Sequence, residues 1–176
     1  MTGINKTNES PANTLCRACG LCCTGHLFSW VRLKAAELDH SQALGLNVIR
    51  SDPRQRGFTQ PCPLWQGQCT IYTSPDYPRV CNSYQCRLLK EMINGDIPLS
   101  DALTVIEQAT EMIHELEELL PVSPSINFRE RLVTYVEGSA SQENEDSGLL
   151  QKANALLNFY EKIFGVKDLV DKPVEQ

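Results

Sequence analysis

Eight cysteines carry the chemistry that can be read in this chain: Cys16, Cys19, Cys22, Cys23, Cys62, Cys69, Cys81 and Cys86. That many thiols would form disulfides in a secreted protein and ligate metal in a reducing compartment. Residues 1–14 are polar and hold no apolar run resembling a signal peptide. Export is therefore not expected, a cytoplasmic location is, and the cysteines are read as metal ligands.

The first run is Cys16-Arg-Ala-Cys19-Gly-Leu-Cys22-Cys23. Two-residue spacers let successive thiolates turn inward around one centre, and Gly20 relieves backbone crowding. The spacing suits zinc held by a CxxC knuckle. It equally suits a 4Fe-4S cube, whose usual C-x2-C-x2-C run takes a distant fourth cysteine often followed by proline, as in Cys62-Pro63. The neighbouring side chains of Cys22 and Cys23 seldom converge on one ion, so at least one should look elsewhere. Eight thiolates admit two four-coordinate centres, one centre with spare cysteines, or a dinuclear cluster, and the reading favoured here is one zinc or iron–sulfur centre drawing on both runs. His26, three residues after Cys23, is expected at the surface, with zinc ligation as the alternative.

Other chemistry finds no support. There is no Gly-rich phosphate loop, GxSxG turn, HExxH helix or Cx3Cx2C run, and three histidines in unrelated settings make no triad. No catalytic residue is assigned. A thioredoxin-like site needs one CxxC beside a βαβ pattern, which this crowd of cysteines is not.

CRACGLCC, then PCPLWQGQCTIY, then PRVCNSYQC resembles the cysteine-cluster family known by its CxxCxxCC signature and described as a zinc- or iron-chelating domain. The resemblance spans about residues 16–87. It implies that all eight cysteines are ligands. The family's usual R-P-x-x-C reads here as Tyr77-Pro78-Arg79-Val80-Cys81, and the loop from Thr73 to Asp76 is longer than usual. Some longer relatives are flagellin lysine methylases that use an iron–sulfur cluster. The resemblance therefore implies an iron–sulfur enzyme as an alternative, although their additional regions have no counterpart here.

Charge divides the chain. Of 16 Lys and Arg and 22 Asp and Glu, eight basic and four acidic residues fall in 14–87, leaving that part at +4 and the rest at −10. A four-thiolate zinc site or an oxidised cubane carries about −2, so two would neutralise the basic part. The arginines lack the aromatic interleaving of a nucleic-acid surface, and nucleic acid is not expected. No apolar stretch reaches the roughly 18 residues of a membrane span, so no membrane partner is expected either.

The elements that must position the cysteines are mainly α-helical. At 176 residues and 41% hydrophobic, the chain should form one domain: a disordered tail over 1–14, a loop-dominated, cysteine-rich metal-binding region over 15–87, a helical region continuous with it over 88–137, a flexible linker over 138–148 rich in small and acidic residues, and a last helix and tail over 149–176. Leu27–Leu33 and Asn47–Pro53 read as short strands, and Lys34–Leu46 as a short helix. Prolines and Gly67 punctuate the second cysteine group, where regular structure is not expected. About three to four helices should follow. One runs from about Tyr84 to Asn94-Gly95, with Leu88, Leu89, Met92 and Ile93 on one face; a second is capped by Ser100, with Leu103, Ile106, Ile113, Leu116 and Leu120 inward; a third covers Ile126–Val136 and a fourth Leu149–Phe164. Glu107, Glu111, Glu115, Glu118 and His114 belong to a solvated face. The acidic helices are a possible surface for a protein partner or for self-association. The expected function is metal binding, with an iron–sulfur enzyme, an electron-transfer protein or a zinc-stabilised interaction module as alternatives.

Overall fold

A computed structural model describes residues 10–72, 74–123, 127–139 and 147–167. The first nine residues of the expected tail, residues 140–146 of the expected linker, Ile126 and the chain after Lys167 lie outside the described residues.

The first helix, α1 (Pro11–Cys19), starts inside the segment read as a disordered tail. Its boundary is local chemistry. The Ser10 hydroxyl accepts from the Asn13 N–H, and Pro11 occupies the first turn, where no N–H is needed. Gly20, at φ 61°, ends the helix in the left-handed conformation with its N–H on the Cys16 carbonyl.

Three short strands follow, β1 (Trp30–Arg32), β2 (Val48–Ile49) and β3 (Gly57–Thr59), paired antiparallel in the order β1-β3-β2. Two of them occupy the expected segments; β3 had no alternating pattern to announce it. At Gly57 an added Cβ would sit 1.9 Å from the Val31 carbonyl oxygen, so glycine is what permits the central strand to approach β1. Between β1 and β2, a turn of 3-10 helix (Ala35–Glu37) leads into α2 (Leu38–Ala43). Leu33, Leu38, Leu46 and Phe58 form a small core under this sheet.

The second cysteine group holds more regular structure than its prolines suggested: α3 (Arg79–Ser83) begins directly after Pro78. Then come α4 (Arg87–Asn94), α5 (Leu99–Leu119), α6 (Phe128–Ser139) and α7 (Ser147–Phe159), the last widening into a π-helical turn over Tyr160–Phe164. The described part of the chain is thus mainly α, as expected. α5 starts one residue before Ser100, with Pro98 at its N-cap.

Along α5, Ala102, Ile106, Ala109, Ile113 and Leu116 recur every three or four residues and are buried, while Glu107, Glu111, Glu115, Glu118 and His114 are exposed. That stripe makes α5 the spine: α1, α4 and α7 pack on it, and α6 packs on α7. Burying each such aliphatic side chain contributes about 1.5–3 kcal/mol. Leu88, Leu89 and Met92 join this larger core, but Ile93 is 49% exposed, because α4 is covered on one side only. Among the described residues no helix is long and apolar enough to cross a membrane.

Candidate metal centre

The structure regroups the eight cysteines. Cys16 and Cys19 lie one turn apart on α1, and Cys22 follows in the tight turn after Gly20, where the Cys23 and Thr24 N–H groups bond back to the Gly20 carbonyl at 2.8 and 2.9 Å. Cys86 is the N-cap residue of α4, and α4 packs against α1. These four pack against the larger core. Cys23 faces the other way. Its carbonyl accepts from the Cys62 N–H at 2.7 Å, Cys69 closes a turn by pairing with Trp65, and Cys81 sits on α3. Cys62 and Cys81 pack against the small core under the sheet.

Electrostatics draw the same division with two links across it, Cys23 acting on Cys22 and Cys19 on Cys23. Burial, then the neighbouring Cys86, pushes the Cys16 thiol up to about 11. Burial pushes Cys19 up to about 12, with Cys86 and Cys16 adding to it. Cys22, the deepest, is raised by burial and then by Cys19, Cys23, Cys86 and Cys16. In the other set burial is again first: Cys23 rises to about 12 beside Cys62, Cys81 and Cys69, with Cys19 adding to it, and Cys81 to about 12 beside Cys62 and Cys69. The sets are therefore Cys16, Cys19, Cys22, Cys86 and Cys23, Cys62, Cys69, Cys81. Cys22 falls in one set and Cys23 in the other, although Cys23 acts on Cys22 more strongly than Cys86 or Cys16 does. The two runs seen along the sequence are not the two sets in space, because Cys23 and Cys86 change places.

All eight are free thiols. They are grouped without closing on a point: among the described residues no three His, Cys, Asp or Glu side chains converge as ligands of a single ion. A cavity of about 280 Å³ joins the sets, lined by every cysteine except Cys62 together with Trp30, Trp65, Tyr72, Tyr77 and Tyr84. Each set has a tyrosine beside it. The Tyr77 hydroxyl is raised by burial and then by Cys81, Cys69 and Cys23; that of Tyr84 by burial and then by Cys22, Cys86 and Cys19.

Three contacts clamp the segment from Cys62 to Tyr72 onto α1 and its Gly20 cap. The Trp65 ring lies on Gly20 so closely that a Cβ there would stand 2.1 Å from it. The Arg17 guanidinium donates to the Gln68 side-chain oxygen, and the Tyr72 hydroxyl donates to Asn13 Oδ1 at 3.0 Å. The spacing of the cysteines gives no hint of these contacts; a tryptophan three residues after Cys62 was the available signal.

His26 is neither a ligand in a closed site nor a surface residue. Only 15% of its side chain is exposed; Nδ1 meets Thr24 Oγ1 at 2.6 Å and Nε2 meets Glu117 Oε1 at 2.9 Å, with its ring edge-on to Phe128. Both nitrogens being engaged, it ties the cysteine turn to α5.

Comparison with family models, with curated proteins and with solved structures gives no match.

Proposed function

We propose that this chain is a metal-binding protein whose eight cysteines hold two four-thiolate centres, iron–sulfur in form. The observation that carries the reading is the division of the thiols into four and four, with Cys22 and Cys23 on opposite sides of it. In two-cluster ferredoxins the fourth cysteine, three residues beyond a C-x2-C-x2-C run, ligates the other cluster; Cys23 would do so from a position directly after the run. Zinc requires four sulfurs at about 2.3 Å from one point. A cubane would bond each thiolate to a different iron, and so would accept a wider spread of sulfurs than a single ion does. Such centres supply one-electron transfer. The chain's own part is to hold the ligands, wall the cavity beside them with Trp65, Tyr77 and Tyr84, and join the two sets through a single peptide bond. Electron transfer is the activity class this favours, in a reducing compartment such as the cytoplasm, where the thiols persist.

Metal and acid-labile sulfide analysis with an absorption spectrum, on protein purified without oxygen, tests it. About eight iron and eight sulfide per chain, with charge-transfer absorbance at about 400 nm, is the expected result. Two zinc per chain and no colour would keep the two sets and replace the cluster by an ion. A protein that neither carries nor takes up metal sinks the reading.

A further inference from the structure

The segments that carry the first cysteine set hold no acidic residue. From Ser10 to Ala36 and from Arg79 to Lys90 the sequence has six Lys and Arg and no Asp or Glu, in a chain whose net charge is −6. Some of that charge is engaged locally: Arg79 pairs with Glu37, and Arg17 is held on Gln68. Arg32, Arg87 and Lys90 are exposed, and the two arginines donate to main-chain carbonyls, those of Arg54 and Lys162. A carbonyl orients a guanidinium and leaves its positive charge whole. Arg87 follows Cys86 directly, and Lys90 lies one helical turn on, its N–H on the Cys86 carbonyl at 3.1 Å.

These cations frame an opening. No Asp or Glu lines the cavity beside the thiols; Tyr84 and Arg32 line it and are exposed, Tyr84 at 39%, so the cavity meets solvent where they stand. The Arg32 guanidinium lies 5.2 Å from the centroid of the Trp30 ring, another wall of the same cavity. Tyr84 stands edge-on to Phe28 with centroids 5.3 Å apart, and Phe28 packs against the same core as Cys16, Cys19, Cys22 and Cys86. An exposed aromatic ring rimmed by arginine is the composition of a protein–protein contact. Complementarity of charge selects the partner, and three exposed cations fit an acidic face. They fall short of the many phosphate contacts by which duplex DNA is held.

We propose that the exposed edge of Tyr84, flanked by Arg32, Arg87 and Lys90, is the docking face at which the first set exchanges electrons with an acidic partner protein. The inference rests on the electron-transfer reading and names its partner. One electron passes from the reduced centre to the oxidised partner, and no bond is made or broken.

The test uses metal-loaded protein reduced with dithionite and mixed without oxygen with hexacyanoferrate(III), an anion, or hexaammineruthenium(III), a cation; each takes one electron. In wild type the rate with the anion should fall as salt is raised and the rate with the cation should rise, the reverse of what a net charge of −6 alone would give. Lys90→Glu and Arg32→Glu, on different elements, should each slow the anion about tenfold at low salt. Lys152→Glu, on α7, should leave it unchanged. Labelled poly-glutamate should bind wild type at low salt and both rim variants more weakly. Either rim variant that keeps its metal suffices, and if neither does, the wild-type salt dependence and poly-glutamate binding decide. Rates that follow the net charge overturn the proposal, as does equal slowing by Lys152→Glu. Tighter binding of a labelled DNA duplex than of poly-glutamate also overturns it, marking the rim for nucleic acid. If wild type holds no iron, the metal-binding reading fails first, before any rate is compared.

Discussion

Cys22 and Cys23, neighbours in the chain, serve different cysteine sets: Cys22 lies with Cys19 and Cys86 against the helical core, while Cys23 hands its carbonyl to the Cys62 N–H at 2.7 Å and turns its thiol toward Cys62, Cys81 and Cys69. One peptide bond is thus the seam between the two candidate centres.

Single ligand changes should separate them. Cys19→Ser is expected to remove about half of the bound metal, Cys69→Ser the other half, and the double variant nearly all, because each serine breaks only its own set. Both single variants should also lose folding stability, as binding energy at such sites is folding energy. Full metal occupancy in either variant, by elemental analysis, would falsify the division.

The clamp between α1 and the Cys62–Cys69 loop is open to a smaller change. Gly20→Ala meets two obstacles together, a φ of 61° and a Cβ 2.1 Å from the Trp65 ring. A loss of about 2–4 kcal/mol in urea unfolding is expected, with a shift in tryptophan emission as Trp65 is displaced. Gly45 also has a positive φ, 92°, but nothing lies within 4 Å of an added Cβ. Gly45→Ala should therefore cost only about 1 kcal/mol, and it serves as the control for backbone strain.

His26 separates structure from ligation. His26→Ala removes the bridge from Thr24 to Glu117 and the contact with Phe128, so about 1–2 kcal/mol of stability should go. Metal per chain should stay at the wild-type level. A drop in metal at full folding would make His26 a ligand after all.

Alkaline pH should destabilise the protein once metal is stripped. Cys16 is raised to about 11, and Cys19, Cys23 and Cys81 to about 12, from 9.0, chiefly by burial. Between those values the folded chain holds protons that the unfolded chain has released, so stability is full below about pH 9 and falls as pH rises toward 11–12. The urea midpoint of stripped protein should decline from about pH 9 upward. Loaded protein, whose thiolates carry no proton to lose, should show a flatter profile over the same range. Coincident profiles would mean that the thiols are not what the metal engages.

Much of this arrangement is legible in the residues themselves. The C-x2-C-x2-C spacing marks Cys16, Cys19 and Cys22 as one group with Gly20 among them, though not the helix that carries the first two, and the three-to-four-residue rhythm along α5 makes it a half-buried helix. The sequence also announces that Cys22 and Cys23 cannot easily share an ion, since successive side chains diverge.

What the sequence by itself determined is local: which residues carry thiols, which helices bury a stripe, and where glycine permits a turn. Which distant cysteine completes each set was decided by tertiary structure alone. Cys86 joins Cys16 because α1 and α4 pack side by side on α5, and Cys23 joins Cys62 because the backbone beyond β3 returns to it. Spacing constrains geometry only over a few residues of stiff backbone; beyond that, the burial of apolar faces chooses the neighbours.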